Sequence, residues 1–172
     1  QLSLYAKHYP KLAPKATFIP FGNDVDYFTP KEMAMKKQIL TFGKAKRDND
    51  TLCKAFSGIA DKKGYKLVVV GAGALKEKYP DGDIEFLDPM PLKDLVTLSR
   101  ESAFIVVPLP EYLYSYGQMS FLQSMALGKA LIVTETTSSA DYISDAPGVG
   151  RVQPYDVGDM KAALQRMMAS DF

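Results

Sequence analysis

Cysteine and histidine, the side chains that most often build nucleophilic and metal sites, are nearly absent from this sequence. Cys53 and His8 are their only representatives among 172 residues. One cysteine cannot form an intrachain disulfide, which fits a reducing compartment. With one histidine, placed in an irregular N-terminal segment, the sequence offers no basis for a catalytic triad or a histidine–cysteine metal cluster.

Long hydrophobic runs and a charge excess are also missing. No apolar run reaches the ~18 residues that a membrane-spanning helix requires. The net charge of +1 argues against a broad nucleic-acid surface or a patch for anionic membranes. With 47% apolar residues the chain can bury a sizeable core, and its length predicts one lobe over residues 1–172. Because it opens without an initiator methionine or a signal peptide, we expect a piece of a longer protein.

Residues 103–134 are the most informative stretch, since they predict a strand, an irregular loop, a helix and a second strand. The helix is predicted to begin near Gly117 and to end at Gly128. A helix N-terminus carries unpaired N–H groups and about half a positive elementary charge. A phosphate is therefore expected at Gly117, where the backbone can be approached closely. The apolar face of this helix is predicted to consist of Leu122, Met125 and Ala126.

Buried-type strands alternate with helices along the whole chain. Strands are predicted at residues 16–20, 38–42, 66–70, 84–87, 103–107, 130–133 and 151–153. Helices are predicted at residues 50–63, 92–100, 140–144 and 157–169, besides the one after Gly117. This alternation predicts right-handed βαβ units and an α/β fold. The expected architecture is a Rossmann-like, doubly wound parallel sheet of about six strands with helices on both faces.

Ligands of such sheets bind beyond the carboxyl ends of the strands, at a switch point. The first loop at that edge carries Lys44, Lys46 and Arg47. A charged run of this kind is usually a solvated loop. In a doubly wound sheet, however, the loop faces the helix that begins at Gly117. A lysine and an arginine aimed at a helix N-terminus would bind a diphosphate without a metal ion.

The turn formed by Gly71, Ala72 and Gly73 has some features of a dinucleotide fingerprint. It follows a buried strand, and Asp88 ends the next strand, where a ribose-binding acid is expected. Lys76 stands where the fingerprint requires its third glycine, and Pro80 leaves room only for a short helix. A tight strand-to-helix turn is the simpler interpretation.

Two Asp-x-Asp pairs, Asp24 with Asp26 and Asp81 with Asp83, could hold a divalent ion against a diphosphate. The second pair is predicted on the side where the strands begin, remote from the expected site. We expect both pairs to be turns, and we expect no metal ion.

Five segments resemble a known family, in the same order along the chain. They are residues 18–30 (FIPFGNDVDYFTP), 39–44 (ILTFGK), 67–73 (LVVVGAG), 103–108 (AFIVVP) and 117–133 (GQMSFLQSMALGKALIV). The corresponding family motifs are I-P-N-G-V-D-x-x-x-F-x-P, a first strand ending in G-R, L-x-I-V-G-x-G, A-D-V-x-V-x-P and G-x-x-x-L-E-A-M-A-x-G-x-P-V-I. The chain therefore resembles the C-terminal lobe of GT-B glycosyltransferases, specifically the large retaining family called GT4.

The resemblance implies a donor site. Lys44 takes the place of the family's arginine after the glycine, and Arg47 that of a later lysine in the loop. In the family these cations hold the donor's diphosphate and stabilise the leaving group, so both are predicted to be catalytic. The residues implied to bind the donor are Gly43, Gly71, Gly73, Asp88, Met90, Ser115, Tyr116, Gly117, Gln118, Met119 and Gln123.

One part of the family pattern is altered. The family's E-x7-E motif maps onto Ser115 and Gln123. Gln123 can still hydrogen-bond the ribose hydroxyls, whereas Ser115 cannot supply the charge that contacts the donor sugar. The glycine of the motif, Gly117, is also displaced by one residue. The resemblance thus implies a divergent subgroup with rearranged donor-sugar contacts.

The function implied is that of a hexosyltransferase-type enzyme in polysaccharide biosynthesis, cytoplasmic or peripheral to the inner membrane face. Its partners are a UDP-, GDP- or ADP-sugar and an N-terminal lobe of the same polypeptide that holds the acceptor. No cofactor, nucleic acid or transmembrane segment is implied, and the isolated chain is expected to bind nucleotide without turnover. Two alternatives stay open: a dinucleotide-binding oxidoreductase domain, and a catalytically inactive flavodoxin-like interaction module.

Overall fold

The computed structural model describes residues 2–112 and 114–170, and in this part of the chain it contains five α-helices and six strands. The helices are α1 (Leu2–His8), α2 (Asn49–Ser57), α3 (Leu92–Glu101), α4 (Gln118–Ala126) and α5 (Val157–Met168). The strands are β1 (Lys36–Phe42), β2 (Lys66–Val70), β3 (Ile84–Leu87), β4 (Ser102–Val107), β5 (Ala130–Thr134) and β6 (Val149–Val152). None of the described helices combines the length and the hydropathy needed to cross a bilayer.

The six strands form one parallel sheet in the order β3-β2-β1-β4-β5-β6. This order confirms the predicted Rossmann-like, doubly wound α/β fold. The direction of winding reverses between β1 and β4, which pair with Leu40 opposite Ile105. The switch point therefore lies where these two strands end, between the loop after Phe42 and the loop after Val107.

Helices cover both faces of the sheet, which explains the nearly continuous apolar runs of β2, β4 and β5. Side chains alternate between the two faces along each strand. One face packs against α2 and α5 through Ile39, Leu67, Val69, Phe104, Val106 and Ile132. The other packs against α3 and α4 through Leu40, Phe42, Val68, Val70, Ile105 and Val107.

Local signals fix where several helices begin and end. The side chain of Asp48 accepts a hydrogen bond from the N–H of Thr51 at the start of α2. Asp156 caps α5 in the same way, through the N–H of Asp159. Gly128 ends α4 in the left-handed conformation, with φ of +68°.

Four predicted or expected elements differ in the structure. Residues 16–20 form no strand; directly after them, the N–H of Phe21 donates to the hydroxyl of Tyr142 (2.9 Å). The helix predicted over residues 50–63 ends at Ser57, and residues 140–144 form turns and coil rather than a helix. The N-terminal segment, expected to be irregular, contains α1, none of whose residues is buried.

Candidate functional site

The loop after β1 supplies the positive charge of the site. Lys44 is exposed, and its side chain has no hydrogen-bond or ion-pair partner in residues 2–112 and 114–170. Lys46 lies further along, with its amine 4.2 Å from the centre of the Tyr112 ring. Its ammonium group thus makes a cation–π contact with the loop after β4. The amine of Lys44 is therefore free within the described residues, whereas the amine of Lys46 is engaged by the ring of Tyr112.

Arg47 is the third cation of the loop, and its guanidinium is largely enclosed. Nε donates to the carbonyl of Phe42 (3.2 Å), and Nη1 donates to the carbonyls of Ala45 (2.8 Å) and Lys46 (3.3 Å). Nη2 donates to the hydroxyl of Ser120 in the first turn of α4 (2.7 Å). Burial lowers the pKa of Arg47 to about 10, so the group remains charged at neutral pH. The cationic loop and the start of α4 are thus in direct contact.

The start of α4 is an open helix N-terminus. Gly117 occupies the N-cap position with φ of +86° and provides no capping side chain. The backbone N–H groups of Gln118 and Met119 have no acceptor among the residues described. Such N–H groups, together with the helix dipole, favour an anionic ligand. A side chain at position 117 would collide with Leu109, because a Cβ there would lie 2.8 Å from its Cδ2.

The loop after β4 presents three tyrosines, at positions 112, 114 and 116. The rings of Tyr112 and Tyr114 lie 5.0 Å apart, and those of Tyr112 and Tyr116 lie 6.1 Å apart. The hydroxyl of Tyr116 donates to the carbonyl of Pro110. Burial, followed by the nearby Glu111, raises the pKa of Tyr116 to about 12, so this hydroxyl stays protonated at neutral pH. Tyr116 therefore serves to shape the loop.

A hydroxyl-rich loop after β5 holds the loop after β4 in place. The N–H of Leu109 donates to the hydroxyl of Thr134 (2.9 Å), and the hydroxyl of Ser138 donates to the carbonyl of Tyr114 (2.9 Å). Ser139 donates to the carbonyl of Thr134 (2.8 Å). These three hydroxyl side chains are at most 3% exposed. Because their bonds are buried and neutral, they brace the approach to α4 without adding charge.

A cavity of about 1310 Å³ opens between the loop after β1, the start of α4, and the N-terminal segment that contains α1 and residues 16–21. Gln123 lines it and is 7% exposed, yet its side-chain amide makes no hydrogen bond within the described part of the chain. Among the described residues, the lining contains Lys44 and Arg47 but no aspartate or glutamate. His8, at the end of α1, also lines the cavity. The cavity is therefore suited to an anionic ligand that also carries hydrogen-bonding groups.

The structure brings most of the predicted site residues together. Nine of them line the large cavity: Gly43, Lys44, Arg47, Ser115, Tyr116, Gly117, Gln118, Met119 and Gln123. Gly71 lines an adjoining cavity of about 380 Å³, which shares Gly43, Lys44 and Arg47 with the first. The remaining three, Gly73, Asp88 and Met90, line neither of these cavities.

Other polar groups considered in the sequence have structural partners. The carboxylate of Asp24 accepts the backbone N–H groups of Asp26 and Tyr27. Asp81 and Asp83 lie 3.8 and 3.5 Å from the amine of Lys62. Cys53 is buried in the core, and burial raises the pKa of its thiol to about 12. In the described residues no cluster of three or more His, Cys, Asp or Glu side chains could hold a metal ion.

Sequence reasoning missed the residues that connect the loops of the site. Ser120, Thr134, Ser138 and Tyr142 were not singled out, although each of them makes a hydrogen bond between segments distant in sequence. The one available signal is the hydroxyl-rich run TETTSS that directly follows the buried strand β5. A run of hydroxyls at the carboxyl edge of a sheet can serve several backbone groups at once.

Comparison with known proteins assigns the chain to a family. The sequence model of a family described as "Glycosyl transferases group 1" matches residues 36–170. No curated protein sequence matches the chain. The matched range contains every described strand of the sheet, the loop after β1 and the start of α4, whereas α1 and residues 16–21, which also line the cavity, precede it.

Solved structures share the fold at low sequence identity. Sucrose-phosphate synthase from Thermosynechococcus elongatus is 19% identical with a TM-score of 0.77, covering 97% of this chain and 47% of that one. The C-terminal domain of the group 1 glycosyl transferase LpcC from Francisella tularensis is 18% identical with a TM-score of 0.71, covering 87% and 89%. Anabaena HepE, in complex with UDP-glucose, is 8% identical with a TM-score of 0.70, covering 86% and 46%. The chain thus spans about half the length of two of these proteins and most of an isolated C-terminal domain.

Proposed function

This chain belongs to the group 1 glycosyl transferases, and from that membership we propose that it is the donor-binding lobe of a GT-B glycosyltransferase of the GT4 type. In this proposal the lobe binds a UDP-, GDP- or ADP-sugar without a cofactor or metal ion. The sugar passes to an acceptor held by an N-terminal lobe of the same polypeptide. The match of HepE, a protein bound to UDP-glucose, supports a nucleotide sugar as ligand.

The hydrogen bond from Arg47 to Ser120 carries the proposal. It joins the cationic loop after β1 to the first turn of α4 at 2.7 Å. Had these two features lain at opposite ends of the sheet, no single anion could have contacted both. Their contact at the switch point of a doubly wound sheet is the arrangement that nucleotide-binding sites use.

The diphosphate is assigned to the start of α4. There the free N–H groups of Gln118 and Met119 point their partial positive charge at the cavity, and Gly117 leaves the backbone accessible. Lys44, which is exposed and unpaired in the described residues, can reach the phosphates as a mobile cation. In the transferase reaction these groups stabilise the negative charge that grows on the departing diphosphate.

The nucleoside is assigned to the cavity wall behind the phosphates. The buried amide of Gln123 has both a donor and an acceptor free for the ribose hydroxyls. The base then extends past Gly43 and Gly71, which line the adjoining small cavity, toward Gly73, Asp88 and Met90. The last three residues belong to the proposed site only as neighbours of the base.

The sugar and the acceptor are assigned to the open side of the cavity. In this proposal the sugar is contacted by Ser115 and Tyr116, both of which line the cavity. Ile19 and Phe21 are 82% and 52% exposed near the opening, and Tyr114 is 67% exposed. Apolar side chains in such an exposed rim are typical of surfaces that another domain covers. This supports closure of the cavity by an N-terminal lobe. As the GT4 resemblance implies, the proposal also includes retention of configuration at the sugar. It further includes a cytoplasmic or membrane-peripheral location and a role in polysaccharide synthesis.

The oxidoreductase alternative is disfavoured by the turn after β2. A dinucleotide fingerprint requires a full helix directly after the glycines, so that its N-terminus binds the pyrophosphate. Here a 3₁₀ turn of three residues, Gly73–Leu75, follows instead. An inactive interaction module differs from the proposal in one respect only: the full-length polypeptide would bind nucleotide without transferring a sugar.

Calorimetry of the 172-residue chain with UDP, GDP, ADP and their sugars tests the proposal. We expect one of the three nucleotides to bind. The double variant Lys44→Ala/Arg47→Ala should weaken the diphosphate at least about tenfold and leave the bare nucleoside nearly unchanged, because the lost interactions are charge-assisted. Lys161→Ala/Arg166→Ala, on α5 at the opposite face, is the matched control and should bind like the unmodified chain. No heat with any of the nucleotides up to millimolar concentration would refute the proposal.

A further inference from the structure

Arg47 differs from Lys44 in how much of its hydrogen-bonding capacity is already used. The guanidinium donates to three backbone carbonyls of its own loop and to the hydroxyl of Ser120. These bonds engage all but one of the N–H groups that an arginine side chain carries. An arginine in this state has little left to offer a phosphate unless its present bonds break.

The backbone of the loop is shaped to hold the guanidinium. Gly43 has φ of +125°, and a Cβ built there would lie 2.5 Å from Nη2 and 2.7 Å from Cζ of Arg47. The guanidinium thus packs directly on the Cα of Gly43, where no side chain would fit. A glycine that makes room for a side chain of its own loop indicates a fixed conformation rather than a mobile cation.

The same loop has a second tie to the loop after β4. The backbone N–H of Asp48 donates to the carbonyl of Pro108 (3.0 Å). Ser120, the acceptor of Arg47, is itself 5% exposed and receives the hydroxyl of Ser124 on its backbone carbonyl (2.7 Å). The bond between Arg47 and Ser120 therefore joins two segments that are each held firmly on their own.

We propose that Arg47 is a positioning residue: it fastens residues 43–48 to the first turn of α4 and so preforms the anion site, while Lys44 makes the direct contact with the phosphates. This inference rests on the proposed function for its ligand and assigns different tasks to the two cations of the site. The fork geometry of arginine is essential for this task, because it reaches three carbonyls and a hydroxyl at once. A lysine at position 47 would keep the charge and lose the fastening.

Three single variants separate the two tasks: Lys44→Ala, Arg47→Lys and Ser120→Ala, each titrated with UDP, GDP, ADP and the bare nucleosides. Arg47→Lys should weaken the diphosphate by about tenfold although it keeps the charge. Ser120→Ala, which removes no charge, should weaken it by about threefold to tenfold with an unchanged salt dependence. The double variant Arg47→Lys/Ser120→Ala should bind the diphosphate no more weakly than Arg47→Lys, since both changes break the same bond, the one between Arg47 and Ser120. Lys44→Ala should reduce the salt dependence of binding.

Amide hydrogen exchange of the ligand-free chain gives the readout that needs no nucleotide. Exchange at Asp48 and Ser120 should become faster in Arg47→Lys and Ser120→Ala, and should be unchanged in Lys44→Ala. A merely structural role would lower the unfolding midpoint and would weaken diphosphate and nucleoside alike, which the comparison with bare nucleosides detects.

The outcomes are distinct for the two ideas. The positioning role is overturned if Arg47→Lys binds the diphosphate within about twofold of the unmodified chain, or if exchange at Asp48 and Ser120 is the same in all variants. If the unmodified chain binds none of the nucleotides, the proposed function falls, and the exchange rates alone then decide whether Arg47 fastens the loop.

Discussion

Gly71 and Gly117 have the same backbone φ of +86°, and each lies in a loop that follows a buried parallel strand. Their surroundings differ in what comes next. After Gly71 the chain makes a 3₁₀ turn of three residues, in which the N–H of Leu75 donates to the carbonyl of Ala72 and the N–H of Lys76 to that of Gly73. After Gly117 it enters the nine-residue helix α4, whose first N–H groups have no acceptor among the described residues. Of the two glycines, only Gly117 is thus followed by an α-helix, whose dipole favours an anion at its N-terminus.

The two regions also differ in what holds them. The turn after β2 is attached to α2 through the carboxylate of Asp50, to which the exposed amine of Lys78 and the half-buried hydroxyl of Tyr79 donate at 2.5 and 2.8 Å. The approach to α4 is held by buried hydroxyls and by the guanidinium of Arg47. Buried neutral bonds fix geometry more firmly than exposed ion pairs do, which suits the region that has to present its N–H groups to a ligand.

Alanine substitution at the two glycines tests this comparison and should give the largest effect. Both variants strain a left-handed backbone by about 1 kcal/mol. In Gly117→Ala the new Cβ also meets Leu109 at 2.8 Å, whereas in Gly71→Ala it meets only Pro89, at 3.9 Å. We expect Gly117→Ala to lose about 2–4 kcal/mol in the free energy of unfolding and more than about tenfold in UDP affinity.

Gly71→Ala is the matched control for that measurement. It should lose about 1 kcal/mol by denaturant unfolding and keep nucleotide affinity within about twofold. Equal losses of affinity in the two variants would mean that the turn after β2 contributes to the phosphate site as much as α4 does.

The next largest effect is expected at Gln123, a buried polar side chain of α4 that lines the cavity. Gln123→Ala should weaken UDP and uridine by the same factor, about threefold to tenfold, because one neutral hydrogen bond to the ribose is lost. Gln165→Ala, an exposed glutamine on α5, is the control and should leave both affinities unchanged. A loss confined to UDP would show that Gln123 contacts the phosphates and not the ribose.

The smallest effect concerns the pH dependence of the two regions. Hydrogen bonds from Lys78, and then from Tyr79, hold the pKa of Asp50 below its ordinary value. The contribution of Asp50 to the free energy of unfolding is therefore complete above its ordinary pKa, about 3.9. It is lost as the pH falls through the lowered pKa that Asp50 has in the folded state. Because Asp50 is about half exposed, Asp50→Asn should cost at most about 1 kcal/mol at pH 7, and the difference should shrink as the solution is acidified below about pH 4.

The variant to compare with Asp50→Asn is Ser138→Ala, in the loop after β5 that holds the approach to α4. Its hydroxyl donates to the carbonyl of Tyr114 and has no charged partner. The cost of removing it, measured by thermal unfolding of both variants across the same pH range, should not change with pH. A parallel acid dependence in Ser138→Ala would contradict the distinction between a charged and a neutral attachment.

The buried face of α4 shows where sequence reasoning failed within a correctly predicted helix. Leu122, Met125 and Ala126 were predicted to form its apolar face. Leu122 and Ala126 are half-buried against the core, but Met125 is 41% exposed, and the buried residues of the helix are Ser120, Phe121, Gln123 and Ser124. Three of these four are polar, and hydropathy assigns polar residues to the surface. Burial of the two serines became favourable because both are hydrogen-bonded. Ser124 donates to the carbonyl of Ser120 one turn earlier in the same helix, whereas the partner of the Ser120 hydroxyl, Arg47, comes from a distant segment.

The strands and the location of the site were predicted more successfully, for a physical reason. Runs such as residues 66–70 and 103–107 are apolar on both faces, and only a covered parallel sheet can bury them. Residues 16–20 looked similar, yet they pair with no strand and none of them is buried; Ile19 is 82% exposed. A short apolar run by itself therefore does not establish that a segment enters the sheet.

Local chemistry written in the chain thus determined the six strands, the open N-terminus at Gly117 and the cationic loop after Gly43, since each depends on a few consecutive residues. Whether Lys44 and Arg47 act alike was decided only by the tertiary structure. Neighbouring cations in one loop are equivalent in a sequence, but the fold surrounds one with carbonyls and the Ser120 hydroxyl and leaves the other in solvent. A hydrogen bond needs its partner at about 3 Å, and no local pattern encodes a partner that lies more than seventy residues away.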